Sequence, residues 1–182
     1  MEGLTRRDVT DISDIDASVP GSLAVTTIES PPGFALPARD SSVVLIGTVR
    51  SGASHVASTK HLVYSDYQVS VKECLKGSKK DLGCEPSNID VLFFGGGIRF
   101  PTGHTAYFVI HTIGFLEEGK DYLLFLWRST KGMRAYDVTG AYLLNSGEVY
   151  PIATRRVGAY AGTPVHEFES AVRSAIKANI NR

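Results

Sequence analysis

The stretch Val63-Tyr64-Ser65-Asp66-Tyr67-Gln68-Val69-Ser70-Val71-Lys72-Glu73-Cys74-Leu75 alternates between two faces and halts at Lys76-Gly77. Val63, Tyr67, Val69, Val71 and Leu75 fall on one side, and Tyr64, Asp66, Gln68, Ser70 and Lys72 on the other. This is the period-two pattern of a strand that covers a core with one face. At about 3.3 Å per residue such a strand spans roughly 40 Å, longer than a small domain can hold as a flat ribbon. It has to coil, and a long, coiled strand that is apolar on one side and ends in a glycine turn implies a small closed β-barrel.

Further strand-like segments surround it. Val43 to Arg50 is apolar and β-branched, with Gly47 at a bulge or bend, and Ser51-Gly52-Ala53-Ser54 opens a loop that reaches His61. Ile89 to Phe94 meets Gly95-Gly96-Gly97, continues to Phe100, and returns as Thr105 to Ile113 after the turn Pro101-Thr102-Gly103-His104. Tyr122 to Trp127 is continuously apolar, which predicts burial on both faces. Arg134 to Val138 and Ala141 to Leu144 form a last strand or hairpin, and Asn145-Ser146-Gly147 turns into Glu148 to Ile152.

A cover for the apolar run comes from the tail. Thr163 is placed as an N-cap with Pro164 at the first helical position, and Phe168, Ala171, Val172, Ala175 and Ile176 recur at helical spacing, which predicts a helix over 164–178. The first part of the chain differs: small and acidic residues from Asp11 to Ser18 and turn formers at Ser30-Pro31-Pro32-Gly33 predict an extended arm over 1–39, with a short strand from Leu23 to Ile28. The barrel and its helix then make one domain over 40–182.

Nineteen basic residues balance nineteen acidic ones, so no overall field favours nucleic acid or anionic lipid. A local patch would be needed, and Lys72, Lys76, Lys79 and Lys80 with Tyr64, Phe93, Phe94, Phe100 and Tyr107 are the residues that single-strand binding on a barrel would use. A solvated lysine loop and core aromatics account for the same residues more simply. No apolar run approaches the roughly 20 residues of a spanning helix, and no signal-peptide core follows Met1.

Candidates for chemistry are few. Cys74 and Cys84 flank the Lys76-Gly77 turn and either bridge, for about 2 to 3 kcal/mol in the chain-entropy picture, or stand as two separate thiols. Histidines fall at 55, 61, 104, 111 and 166 without ligand spacing, which leaves His104 and His111 on the third hairpin as the pair to inspect, beside carboxylates such as Asp66. Tyr64 and Asp66 in Tyr64-Ser65-Asp66-Tyr67 complete the set of candidate site residues, although cross-strand packing explains that string equally well. The triple glycine lacks a Gly-Lys-Ser/Thr ending and a following helix, so a barrel corner accounts for it better than a phosphate cradle.

Read in order, Ser42-Val43-Val44-Leu45-Ile46-Gly47-Thr48-Val49, the alternating strand closing in Leu75-Lys76-Gly77, Gly95-Gly96-Gly97-Ile98-Arg99-Phe100-Pro101 and Gly119-Lys120-Asp121-Tyr122-Leu123-Leu124-Phe125-Leu126 resemble a group of bacterial proteins frequent in acidobacteria and usually exported. The order of strands is also similar to the OB-like barrel of netrin-like modules and tissue inhibitors of metalloproteinases. Such inhibitors ligate the target's metal through a free amino-terminal cysteine, whereas here no cysteine precedes Cys74.

The resemblance implies a mainly β chain: a five-stranded, OB-like closed β-barrel with a C-terminal helix and an extended N-terminal arm. It also implies a non-catalytic binding module of the cell envelope or exterior, without cofactor or catalytic residue, that takes a protein or small-molecule ligand. The alternatives are a small metal-dependent enzyme built on the third-hairpin histidines and a single-strand nucleic-acid-binding OB fold.

Overall fold

The structure, a computed structural model, describes residues 23–26, 36–58, 62–77, 88–101, 103, 105–110, 115–128, 135–153 and 160–180. In chain order the elements are β1 (Leu23–Thr26), β2 (Val43–Val56), β3 (Val63–Lys76), β4 (Asn88–Arg99), β5 (Thr105–Ile110), β6 (Asp121–Arg128), β7 (Ala135–Asn145), β8 (Glu148–Ala153), β9 (Thr163–Pro164) and α1 (Val165–Ile180). β3 pairs antiparallel with β2 and β4, β2 with β6, and β6 with β7. A parallel pairing of β4 with β7 closes the ring. The five strands β2, β3, β4, β7 and β6 thus form the OB-like closed barrel, with β1 and β5 attached along one flank and β8 and β9 along another.

The alternation of β3 works as its sequence requires at one end and changes phase at the other. Val63, Tyr67 and Val69 are buried and Val71 packs against the barrel core. Leu75 instead packs against the cluster that carries α1, contrary to its expected side. The reason is the pairing with β2, which is irregular at Ile46/Gly47 and Val44/Leu45, so the strand turns about its axis between Val71 and Lys76. Gly47 is needed there because a Cβ would run into the Val69 side chain and the Ser70 carbonyl.

β2 runs on to Val56, where a loop beginning at Ser51 was expected. The small residues misled: Gly52 stands in the strand because the Tyr67 ring occupies the space a Cβ would fill. The triple glycine does mark a corner. β4 pairs with β3 up to Phe94 and with β5 from Gly95 onward, and Gly95, at φ 106°, lies against the Phe108 carbonyl too closely for any side chain. Likewise, Ala135 to Val138 and Ala141 to Leu144 belong to one strand with a register shift opposite Phe125/Leu126, while Arg134 lies outside the described residues. The Ser146-Gly147 turn has φ of 53° and 84°, the two positive values of a tight hairpin loop.

Two cores result. Inside the barrel, Val43, Leu45, Val49, Phe93, Leu124 and Leu126 are among the buried residues. Outside it, α1 lays Phe168, Val172 and Ile176 onto Val44, Ile46, Leu123, Phe125 and Tyr142, so most of the apolar run of β6 is covered on both faces, as expected. The helix starts one residue later than expected, since Pro164 pairs with Glu148 in β9. Phe168 is fully buried, with its ring 4.7 Å from Tyr142 and 5.1 Å from Tyr160. Arg173 donates to Glu73 of β3 at 2.6 Å.

The Leu-Lys-Gly ending of β3 has a structural use. The Lys76 ammonium donates to the carbonyls of Ala38, Ala38's neighbour Arg39, and Ser41 at 2.8, 3.2 and 2.7 Å. It thereby holds the turn that feeds β2, and Leu36 and Ala38, placed in the arm by sequence, pack with the helix cluster. Partial burial lowers the Lys76 pKa, opposed by the charge of Asp40. Cys74 is half-buried near the end of β3, while Cys84, its expected partner, lies outside the described residues.

Phe168→Ala should lower unfolding free energy by about 3–5 kcal/mol through loss of ring burial and the cavity left behind. Lys76→Met, which strips the donor from those carbonyls, should cost about 1–3 kcal/mol. Urea unfolding of the two variants beside the parent checks both values.

Candidate functional site

Among the described residues, α1 covers one side of the barrel's outer wall and no helix lies over the other. Register places its outward side chains in rows across the strands. Ala53, Asp66, Leu92, Asp137 and Trp127 follow one another across β2, β3, β4, β7 and β6. His55, Tyr64 and Phe94 make the next row, and Ser51, Gln68, Asp90 and Ala135 the row on the other side. None of these residues is Lys or Arg, and three are Asp. In OB-type barrels the corresponding face, on the second and third barrel strands, is the one that binds ligands.

Two large rings stand out from this wall: Phe94 is 48% and Trp127 47% exposed. Trp127 had been expected to be buried with the rest of its run. α1 covers Leu123 and Phe125 but does not reach the end of the strand. Beside Phe94, the His55 ring stacks on Tyr64 with centroids 5.3 Å apart, and its Nε2 meets Asp66 Oδ1 at 2.5 Å.

Of the expected site residues, Tyr64 and Asp66 therefore meet, in the company of His55. His55 was missed because it falls in the stretch read as loop. The alternation of Gly52 and Ser54 against Ala53 and His55 was the signal that the strand continues. His104 and His111 lie outside the described residues. Among the described residues no three His, Cys, Asp or Glu side chains come together as a metal cluster.

Among the described residues no serine or threonine hydroxyl is hydrogen-bonded to the His55–Asp66 pair. Ser54 and Ser65 point the other way, where their hydroxyls bond to each other at 2.8 Å, Ser65 donates to the Gly95 carbonyl and Ser54 accepts from the Gly97 amide. That network holds the glycine corner.

Two carboxylates with opposite surroundings define the electrostatics. Burial pushes the Asp121 carboxyl up, but hydrogen bonds from Lys72 and Thr48 and the charges of Lys72 and Arg50 outweigh it, and its pKa ends below the ordinary range. Lys72 grips both carboxylate oxygens at 2.7 and 2.6 Å. Asp137, half-buried beside Trp127, has only burial acting on it, and its pKa is raised. Among the described residues nothing donates to it.

The lysine patch considered from sequence is thus partly spent: Lys72 is held by Asp121 and Lys76 by backbone carbonyls, while Lys79 and Lys80 lie outside the described residues. Of its aromatic partners, Phe93 fills the core and Tyr107 lies over Gly97. No described helix is long and apolar enough to cross a membrane. Comparison with protein-family models and with curated proteins finds no match to the chain.

Asp137→Asn should stabilise the fold at neutral pH. The native carboxyl holds its proton more tightly than the unfolded one, so acid favours the native parent, and the variant's advantage should shrink as pH falls and vanish below the ordinary value of 3.8. Thermal unfolding of parent and variant across the acid range tests the sign.

Proposed function

We propose that the protein is a binding module whose ligand docks on the uncovered wall formed by the outer faces of β3, β4 and β7 and the end of β6. One observation carries this reading: two large aromatic rings stand half-exposed on a wall whose opposite side is sealed by a helix. Fully burying such a ring gains about 1.5–3 kcal/mol, of which the exposed half is still to be had. Aromatic rings flanked by hydrogen-bonding groups also fit the make-up of interface centres.

The three rows at the centre of the wall carry no Lys or Arg, and Lys72 beyond them is held by Asp121, which weighs against a polyanionic ligand, whose affinity would rest on phosphate contacts. The resemblance to exported bacterial proteins supports a place in the cell envelope or outside the cell. In that compartment a Cys74–Cys84 bridge would close the segment after β3.

Trp127 is the sole tryptophan of the chain, so its emission reports on the proposed wall alone. Titration with a panel of peptides, neutral oligosaccharides and single-stranded oligonucleotides should give a saturable change with one class, and Phe94→Ala should weaken it roughly tenfold. No change with any class, or turnover of a hydrolase substrate that a single substitution abolishes, would overturn the reading.

A further inference from the structure

We infer that the wall takes a cationic ligand, in particular an extended peptide segment with lysines at alternate positions, whose ammonium groups seat on Asp137 and Asp90 against the Trp127 ring. This rests on the binding-module reading and names the chemistry of its ligand.

Trp127 and Asp137 are direct cross-strand partners on the outer face, and such partners have Cβ atoms about 5 Å apart. An ammonium hydrogen-bonded to the Asp137 carboxylate therefore falls within the about 6 Å over which a tryptophan face attracts a cation. Asp90 pairs with Ala135, two residues before Asp137, which makes Asp90 and Asp137 diagonal neighbours about 7–8 Å apart. Lysines at alternate positions of an extended peptide are spaced about 6.6 Å, close to that separation.

The three rows of the wall carry Asp66, Asp90 and Asp137 and no Lys or Arg, and Lys72, further along β3, is already held by Asp121. Asp66 is already matched by His55, whereas Asp137 has no donor among the described residues, and burial alone acts on it. A half-buried carboxylate without a partner costs stability. It is restored to favour by an incoming cation, and the same contact excludes nucleic acid.

The test uses the full chain and a capped peptide of alternating lysine and serine, with the lysine-acetylated peptide, chitohexaose and oligothymidine as comparisons. Trp127 emission should change saturably with the lysine peptide alone. Affinity should fall roughly tenfold in Asp137→Asn and again at high salt, where exposed charges are screened. Phe94→Ala, read by the same emission and folded by its far-ultraviolet dichroism, separates loss of the site from loss of the fold.

Equal binding of the acetylated peptide, or affinity indifferent to Asp137→Asn, overturns the cation proposal. A response to chitohexaose or oligothymidine in place of the lysine peptide overturns it too, while leaving the binding module standing. Silence from every probe removes both.

Discussion

Closing five strands into a ring depends here on one short parallel contact, in which Asp90, Val91 and Leu92 of β4 lie against Ala135, Tyr136 and Asp137 of β7. Every other seam of the barrel is antiparallel and runs over more paired residues. The inward residues of this seam, Val91 and Tyr136, are buried in the barrel core. Its outward residues are the acidic and apolar positions at the centre of the uncovered wall. The same three rungs therefore complete the core and assemble the site, since without them Trp127 and Asp137 would belong to a different surface from Phe94 and Tyr64.

The other half of the outer wall shows what this half could have been. There, Val44, Ile46, Leu123, Phe125 and Tyr142 face outward and are sealed by Phe168, Val172 and Ile176 of α1. β6 passes from one regime to the other within its own length: Leu123 and Phe125 lie under the helix, and Trp127, two residues on and on the same face, emerges from it. A chain that needed only stability would continue the cover or replace the exposed rings with polar residues. Phe94 and Trp127 do neither, and polar neighbours surround them instead of further apolar cover.

Much of the architecture was legible because burial imposes a period. The alternation of β3, the unbroken apolar run of β6 and the helical spacing of Phe168, Val172 and Ile176 each reflect one-dimensional rules that the barrel obeys. Where the reading slipped, a small residue served packing across the sheet and not chain reversal. Gly52 accommodates Tyr67, a residue fifteen places later, and nothing local in Ser51-Gly52-Ala53-Ser54 distinguishes that from a turn. Leu75 slipped for a related reason, because bulges set by the partner strand change which way it faces.

The site was less legible than the fold because its members come from five strands and meet only through register. Asp66 and Tyr64 could be singled out as neighbours along one strand, yet His55 joins them only once β2 is known to run on. Asp137 and Trp127 join only once β4 closes on β7. The contrast between Asp121 and Asp137 makes the same point in energetic terms. Both are aspartates on barrel strands, but Lys72 and Thr48 stabilise the first in its charged form, and burial without a donor disfavours the second. A fold under selection for stability alone would shed the second at little cost, since asparagine fills the same space without the charge. Its placement at the closing seam, between a half-exposed tryptophan and a strand carrying Asp90, is the arrangement on which the proposed cation site rests.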